Sequence, residues 1–219
     1  MKRTEEAGSG RREQPVSVDE IATTALALID AHGLEALTMR GLAEAIGVKP
    51  VTVYRYLPNK EAILAEVADR LWRELPPIDP AIRGWKKQLR AMWLQLFDLM
   101  LRHPHAVPLI ARGGTLSSTA GSDTAGMVGV LKDAGFTPKL AGEFVHAASA
   151  LVVGFAFAHL WQHQAQDGLG PSRPAGTATP PPSDLLEYAQ QLGPFTTEEF
   201  GQTLDLVVDG FADKLPHPS

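Results

Sequence analysis

Thr38-Met39-Arg40-Gly41-Leu42-Ala43-Glu44-Ala45-Ile46-Gly47-Val48-Lys49-Pro50-Val51-Thr52-Val53-Tyr54-Arg55-Tyr56-Leu57-Pro58-Asn59-Lys60 spells two short helices joined by a tight turn. The first spans about Met39 to Ile46, buries Leu42, Ala43 and Ile46, and takes Thr38 as its N-cap. Gly47 ends it, since glycine turns there without a Cβ penalty, and Val48 plugs the turn. Pro50 suits the first position of the second helix, where its missing N–H costs little. That helix runs to about Tyr56 or Leu57, before Pro58. The arrangement is a helix-turn-helix, whose second helix can enter a DNA major groove.

The chemistry of the second helix agrees with that use. Between Gly47 and Lys60 stand three cations, Lys49, Arg55 and Lys60, and no acid. Val51 suits a thymine methyl, Thr52 and the hydroxyls of Tyr54 and Tyr56 suit phosphates or base edges, and Lys49 or Arg55 suits guanine or phosphate. A merely solvated helix would mix Glu with Lys instead.

Over residues 17–65 the chain resembles the DNA-binding domain of the TetR family of bacterial regulators. The matching residues are Ala31-His32-Gly33-Leu34, Leu37-Thr38-Met39-Arg40, Leu42-Ala43, Ile46-Gly47-Val48, Thr52-Val53-Tyr54-Arg55-Tyr56 and Asn59-Lys60. The resemblance implies that Thr38 and Lys60 hold phosphates. It also implies that Arg40, Lys49, Pro50, Val51, Thr52, Tyr54 and Tyr56 face the groove or its walls. Two departures stand out: Gly41 inside a helix, at about 1 kcal/mol against Ala, and Tyr56 where many members carry His.

The 219 residues, 44% of them apolar, suffice for a small domain plus a larger one. There is no cysteine, which removes disulfides and thiolate metal sites. The net charge of −5 argues against a general coat on nucleic acid; residues 1–60 balance eight basic against eight acidic residues, so any DNA-facing charge is a local stripe. No apolar leader follows the polar N-terminus, so a cytoplasmic location is expected. Residues 1–16 read as a disordered arm, a solvated tail in which Glu5, Glu6 and Glu13 dilute Lys2, Arg3, Arg11 and Arg12.

From Ser17 onward every strong pattern is helical. Ser17 and Glu20 offer a capping box for a helix that Gly33 ends. After Asn59 a helix with Ile63, Leu64, Val67, Leu71, Trp72 and Leu75 on one stripe continues to Pro76. Residues 17–75 therefore form the head with its connecting helix, and 76–219 the body. In the body, Asp79-Pro80 predicts a long helix to about His103. Pro104 and Pro108 predict a short piece, and Met127 to Ala134 a helix closed by Gly135. Residues 113–126 look like a loop or a weak helix start. The segment Pro138–His163 is the most apolar, with 18 formally uncharged residues from Phe144 to Trp161. A membrane span is set aside, because Ala, Ser, Gly, His146 and His159 dilute a run at the short end of spanning length. A mobile loop is expected over 164–183 and a short helix over 184–192. A last helix is capped by Thr196 and Glu199. The fold class is all-α.

In the resembling family the body binds a small molecule and forms a homodimer through two late helices, here 138–163 and 196–215. Trp85, Trp93, Phe97, Met100, His103, Phe144 and Phe155 are the aromatic and polar residues available to line a pocket. Ala147, Ala148, Gly154, Phe200, Leu204, Val208 and Phe211 are the residues available for a dimer interface. Tetracycline repressors hold a drug–magnesium complex through a histidine in the short helix after the long one; Pro108-Leu109-Ile110-Ala111 has none. His159 and His163 have i, i+4 spacing but no zinc-protease glutamate between them. The chain also lacks a nucleophile elbow and a phosphate loop, so no enzyme, cofactor or metal is expected. The expected function is a ligand-responsive repressor, binding a palindromic operator in double-stranded DNA as a homodimer and released by a small-molecule effector, without a membrane partner. The alternatives are an activator of the same architecture and a helical ligand- or partner-binding dimer that does not read DNA.

Overall fold

The structure is a computed structural model that describes residues 15–111, 118–166 and 195–215, with the backbone alone at 118–124 and 163–166. The described residues form helices and no strand: α1 (Val18–His32), α2 (Met39–Ile46), α3 (Pro50–Tyr54), α4 (Lys60–Arg73), α5 (Trp85–Arg102), α6 (Val107–Ala111), α7 (Ser118–Asp133), α8 (Pro138–Gln166) and α9 (Thr197–Ala212). Single 3-10 turns sit at Leu34–Ala36 and Pro104–Ala106.

The caps follow the local chemistry. Ser17 Oγ accepts from the Glu20 amide, Thr38 Oγ1 from Gly41 and Asn59 Oδ1 from Ala62. Thr196 and Glu199 close a full capping box on α9. Gly47 turns the chain at φ +80 between α2 and α3, a left-handed conformation that a side chain disfavours. Gly41 has a local reason to lack a side chain: a Cβ there would stand 3.1 Å from the Thr38 hydroxyl that caps α2.

Helices α1, α2 and α3 close over Ile21, Ala25, Ile29, Leu37, Leu42, Ala43 and Val53, all essentially inaccessible. The hydrophobic stripe of α4 packs on α1 and its far end reaches α6 and α7, so this helix belongs to head and body alike. In the body, α5, α8 and α9 pack together around Phe97, Phe144 and Phe200. Phe97 and Phe200 stack at 4.5 Å, and Phe144 meets Phe211 edge-on at 5.5 Å. On α9, Gly201 leaves space for the Arg90 guanidinium, which would lie 2.6 Å from an added Cβ. Arg90 Nε reaches the Asp205 carboxylate at 3.1 Å.

Several expected boundaries shift. The helix expected from Pro80 begins at Trp85, because Gly84 at φ +89 interrupts the path and Asp79 closes a turn instead. The segment 113–126 is helical from Ser118 onward, extending the helix expected from Met127. Val16, expected in the disordered arm, is buried in the core. Helix α8 continues to Gln166, through the first residues of the loop expected from 164. The rest of that loop, the helix expected over 184–192 and residues 1–14 lie outside the described residues.

Candidate DNA-reading head and effector cavity

Helix α3 is anchored by Val53 and Leu57, both buried, which turns the rest of its surface outward. Val51, Tyr54 and Tyr56 are the large apolar and aromatic side chains left exposed in the head, at 63%, 49% and 41%. Arg40, Lys49, Pro50 and Arg55 are exposed beside them and Thr52 is half-buried. An outward surface of aromatic, methyl and cationic groups has no use in water and suits base edges and phosphates. Thr38 is exposed; its oxygen caps α2, and its hydroxyl proton remains available for donation. Lys60, expected to hold a phosphate, also has a partner inside the head. Its ammonium donates to the Leu34 carbonyl at 3.1 Å across the head, so at least one of its three donors ties α4 to the turn before α2.

A bridge joins head to body. His103, after α5, lies between two carboxylates: Nδ1 is 2.9 Å from Asp30 Oδ2 of α1, and Nε2 is 3.2 Å from Glu74 Oε2 at the end of α4. Arg102 Nη1 also reaches Glu74, at 2.7 Å, and His105 meets the Asp30 carbonyl. Burial works to raise the Glu74 pKa, but hydrogen bonds from Arg102 and His103 outweigh it and hold the carboxyl below its ordinary value; the same Glu74 bond raises Arg102. Asp30 Oδ1 is buried with no hydrogen-bond partner.

Between α4 and the body lies a half-open cavity of about 880 Å³, at the large end of small-molecule sites, about 300–1,000 Å³. One wall is the end of α4 and the following linker, with Trp72, Leu75 and Pro76. The others come from α5 (Met92, Trp93, Met100), α6 (Ile110), α7 (Met127, Val130) and α8 (His146, Ser149, Val152). Of the residues expected to line a pocket, Trp93 and Met100 do so. The other five are used elsewhere. Trp85 packs edge-on against Phe136, Phe97 stacks on Phe200, and Phe144 lies between Phe136 and Phe211. Phe155 meets Phe195 and Phe200, and His103 forms the bridge. Helix α5 has apolar groups on two sides: its one phenylalanine, Phe97, meets Phe200 of α9, while its cavity side carries Trp93, methionines and glutamines. Sequence reasoning missed Trp72, Gln88, Gln95, His146 and the linker 75–80; the run Leu75-Pro76-Pro77-Ile78, apolar where a linker is usually polar, was the available signal.

The expected interface residues also need correction. Ala148, Phe200, Leu204 and Val208 are buried inside the chain, and Phe211 packs on Phe144. A helix with one apolar stripe spends it on its own core. The outward stripe of α8 is Ala150, Gly154, Phe157 and Trp161, while Ala147 is half-buried. Phe157, Trp161 and, on α9, Leu206 are exposed at 49%, 64% and 74%. Helix α8 is long and apolar enough over Pro138–Gln162 to pass a composition test for a membrane span, yet its opposite stripe, Ala141, Phe144, Ala148, Val152 and Ala156, is buried against its neighbours. The His159 ring bonds the Phe195 carbonyl through Nδ1, and the His163 side chain lies outside the described residues. No group of three or more metal-ligating side chains occurs among the described residues.

Residues 21–67 match the family described as bacterial regulatory proteins, tetR family. The chain is 29% identical over 157 residues to the HTH-type transcriptional repressor DrrR1 of Streptomyces coeruleorubidus; the match takes in 71% of this chain and 58% of that relative. Among solved structures it resembles a possible TetR family transcriptional regulator from Streptomyces coelicolor A3(2), with a TM-score of 0.76, 22% identity and coverage of 90% and 100% of the two chains. It also resembles the Streptomyces coelicolor TetR family protein ActR in complex with actinorhodin, with a TM-score of 0.68, 23% identity and coverage of 92% and 99%. These two likenesses establish the fold. Residues 21–67 thus match the tetR family of bacterial regulatory proteins, and the whole chain shares the architecture of solved TetR-family structures.

Proposed function

We propose that the chain is a ligand-responsive transcriptional repressor that binds a palindromic operator as a homodimer. The observation that carries this is one helix with two duties. Trp72 and Leu75, at and beyond the end of α4, line the cavity, while Lys60 at its start ties to the turn before α2 in the head. A molecule in the cavity that favours one setting of α4 thereby biases the placement of α3, and its differential affinity shifts the population off DNA. The chemistry of the head supports contacts from Arg40, Lys49, Pro50, Val51, Thr52, Tyr54, Arg55 and Tyr56, with Thr38 on a phosphate and Lys60 acting first as a tether. The outward stripe of α8 and Leu206 of α9 form the apolar area that a second copy would cover. The pair would set its two α3 helices about 34 Å apart, one turn of DNA. The repressor description of DrrR1 and the small molecule bound to ActR favour the same reading. No cofactor enters it, and the work is done at DNA in the cytoplasm.

Selection from a random duplex library with the full chain, followed by salt titration of the selected sequence, tests it. A palindrome bound in the nanomolar range, with affinity falling steeply as salt rises, is the expected result. Recovery of no motif at low salt refutes it.

A further inference from the structure

Helix α4 is the covalent link between head and body, and a single strut leaves the parts at its two ends free to turn against each other. The cluster around His103 supplies a second attachment away from the α4 axis. Asp30 lies on α1, where Leu26 and Ile29 are buried in the head core. His103 lies between Met100 of α5 and Ala106 and Val107 of the next turn, all three essentially inaccessible. Its ring nitrogens meet Asp30 Oδ2 at 2.9 Å and Glu74 Oε2, at the end of α4, at 3.2 Å. His105 Nδ1 lies 2.8 Å from the Asp30 carbonyl, and Arg102 Nη1 donates to Glu74 at 2.7 Å. The cluster thus joins one rigid core to another.

Its setting distinguishes it from the pairs around it. The His103 side chain is 13% exposed and each carboxylate about a third. Arg70 with Asp19 joins α4 to α1 inside the head, while Lys86 with Asp209 and Arg90 with Asp205 join α5 to α9 inside the body. Each of those three leaves a partner about half-exposed or more, where an ion pair contributes little. Of these contacts, the His103 cluster is the one that spans head and body.

We infer that Asp30, Glu74, Arg102 and His103 form a latch that sets the angle of the head on the body, and thereby the half-site spacing that a dimer accepts. This rests on the proposed reading of a palindrome by a homodimer. Two heads held at fixed angles match one spacing, and each extra base pair moves a half-site by about 3.4 Å and turns it by about 35°. Opening the latch leaves each head on α4 alone and lets it follow the displaced half-site. Asp30 and His103 are positioning residues: they act through the placement of α3 and leave its own contacts intact.

The test uses the full-length protein and the selected operator, in its native form and with one base pair inserted between the half-sites. The wild type loses at least about a hundredfold in affinity on insertion, because only one head then engages. His103→Leu binds the native operator up to about tenfold more weakly, since its heads are no longer preset, and loses less than about tenfold on insertion. Lys86→Ala, which cuts an ion pair inside the body, behaves as the wild type. If His103→Leu does not fold, as judged by its melting curve, Asp30→Ala replaces it with the same expectation. Equal losses on insertion in the wild type and the latch variant overturn the inference, as does an equal loosening by Lys86→Ala. A second readout needs no DNA. The chain has no cysteine, so nitroxides placed by Glu35→Cys in the head and Lys132→Cys on α7 report the head–body distance by double electron–electron resonance. His103→Leu broadens that distance distribution and Lys86→Ala leaves it unchanged; equal widths in the wild type and the latch variant overturn the inference. A broadened distribution with no palindrome recovered upholds the latch and refutes the DNA reading on which its use rests.

Discussion

Replacing His103 by leucine removes the bridge between head and body at its centre, and the structure sets the size of the effect. The ring sits 2.9 Å from Asp30 and 3.2 Å from Glu74, with 13% of its own side chain exposed and about a third of each partner's. A hydrogen bond to a charged group contributes about 1.5–3 kcal/mol, and the exposure of the carboxylates reduces each here to about 1 kcal/mol. Glu74 keeps Arg102 when the ring is gone. Asp30 keeps a carboxylate whose Oδ1 has no partner and whose Oδ2 has lost one. His103→Leu should therefore cost about 2 kcal/mol, and removal of the stranded charge by Asp30→Asn should return about 1 kcal/mol of it. The assay is a double-mutant cycle by urea unfolding of wild type, His103→Leu, Asp30→Asn and the pair. Residues in direct contact couple by about 0.5–3 kcal/mol. A coupling energy below about 0.3 kcal/mol would refute the reasoning, since it would mean that the carboxylate and the ring do not depend on one another in solution.

Other outcomes follow from the same geometry. Lys60→Met loses the bond to the Leu34 carbonyl and should lower stability by about 1 kcal/mol in the same urea experiment. Glu74 has a pKa lowered on folding from its ordinary 4.5, so its contribution is present above that value and is lost as pH falls through the lower folded value. Glu74→Gln should accordingly flatten the acid limb of a stability–pH curve and leave its slope near neutrality unchanged. Phe157→Glu combined with Leu206→Glu should give monomers by sedimentation at micromolar concentration. Their operator affinity should fall at least about a hundredfold through lost bivalency, while the far-ultraviolet dichroism stays as in the wild type.

The head was legible in the sequence because its signals are local. Thr38, Gly47, Pro50 and Asn59 each act on a backbone group within three residues, and the structure uses Thr38, Gly47 and Asn59 as helix caps and Pro50 at the first position of α3. The body was legible only as helices. Trp85, Phe97, Phe144 and Phe155 suggested a pocket by composition. Which side of α5 meets α9 and which meets the cavity depends on long-range packing that periodicity does not encode. The same holds for Phe200, Leu204 and Val208. Their spacing marks a buried stripe and is silent about whether its own chain or another copy buries it. Leu206, Phe157 and Trp161 lie off those buried stripes, and that displacement is what separates an outer face from an inner one.

The length of α4 has a mechanical consequence. Its 14 residues span about 21 Å at 1.5 Å per residue, with the cavity at one end and the head at the other. A tilt of about 5° pivoting at Trp72 displaces the Lys60 end by about 1.6 Å, whereas hydrogen bonds weaken steeply over a few tenths of an ångström. The helix thus works as an amplifier with a gain fixed by its length. If the proposed function holds, a change in the cavity too small to disturb its packing would carry α3 out of register with the bases, and shortening α4 by one turn would lower the sensitivity of the switch without altering either of its ends.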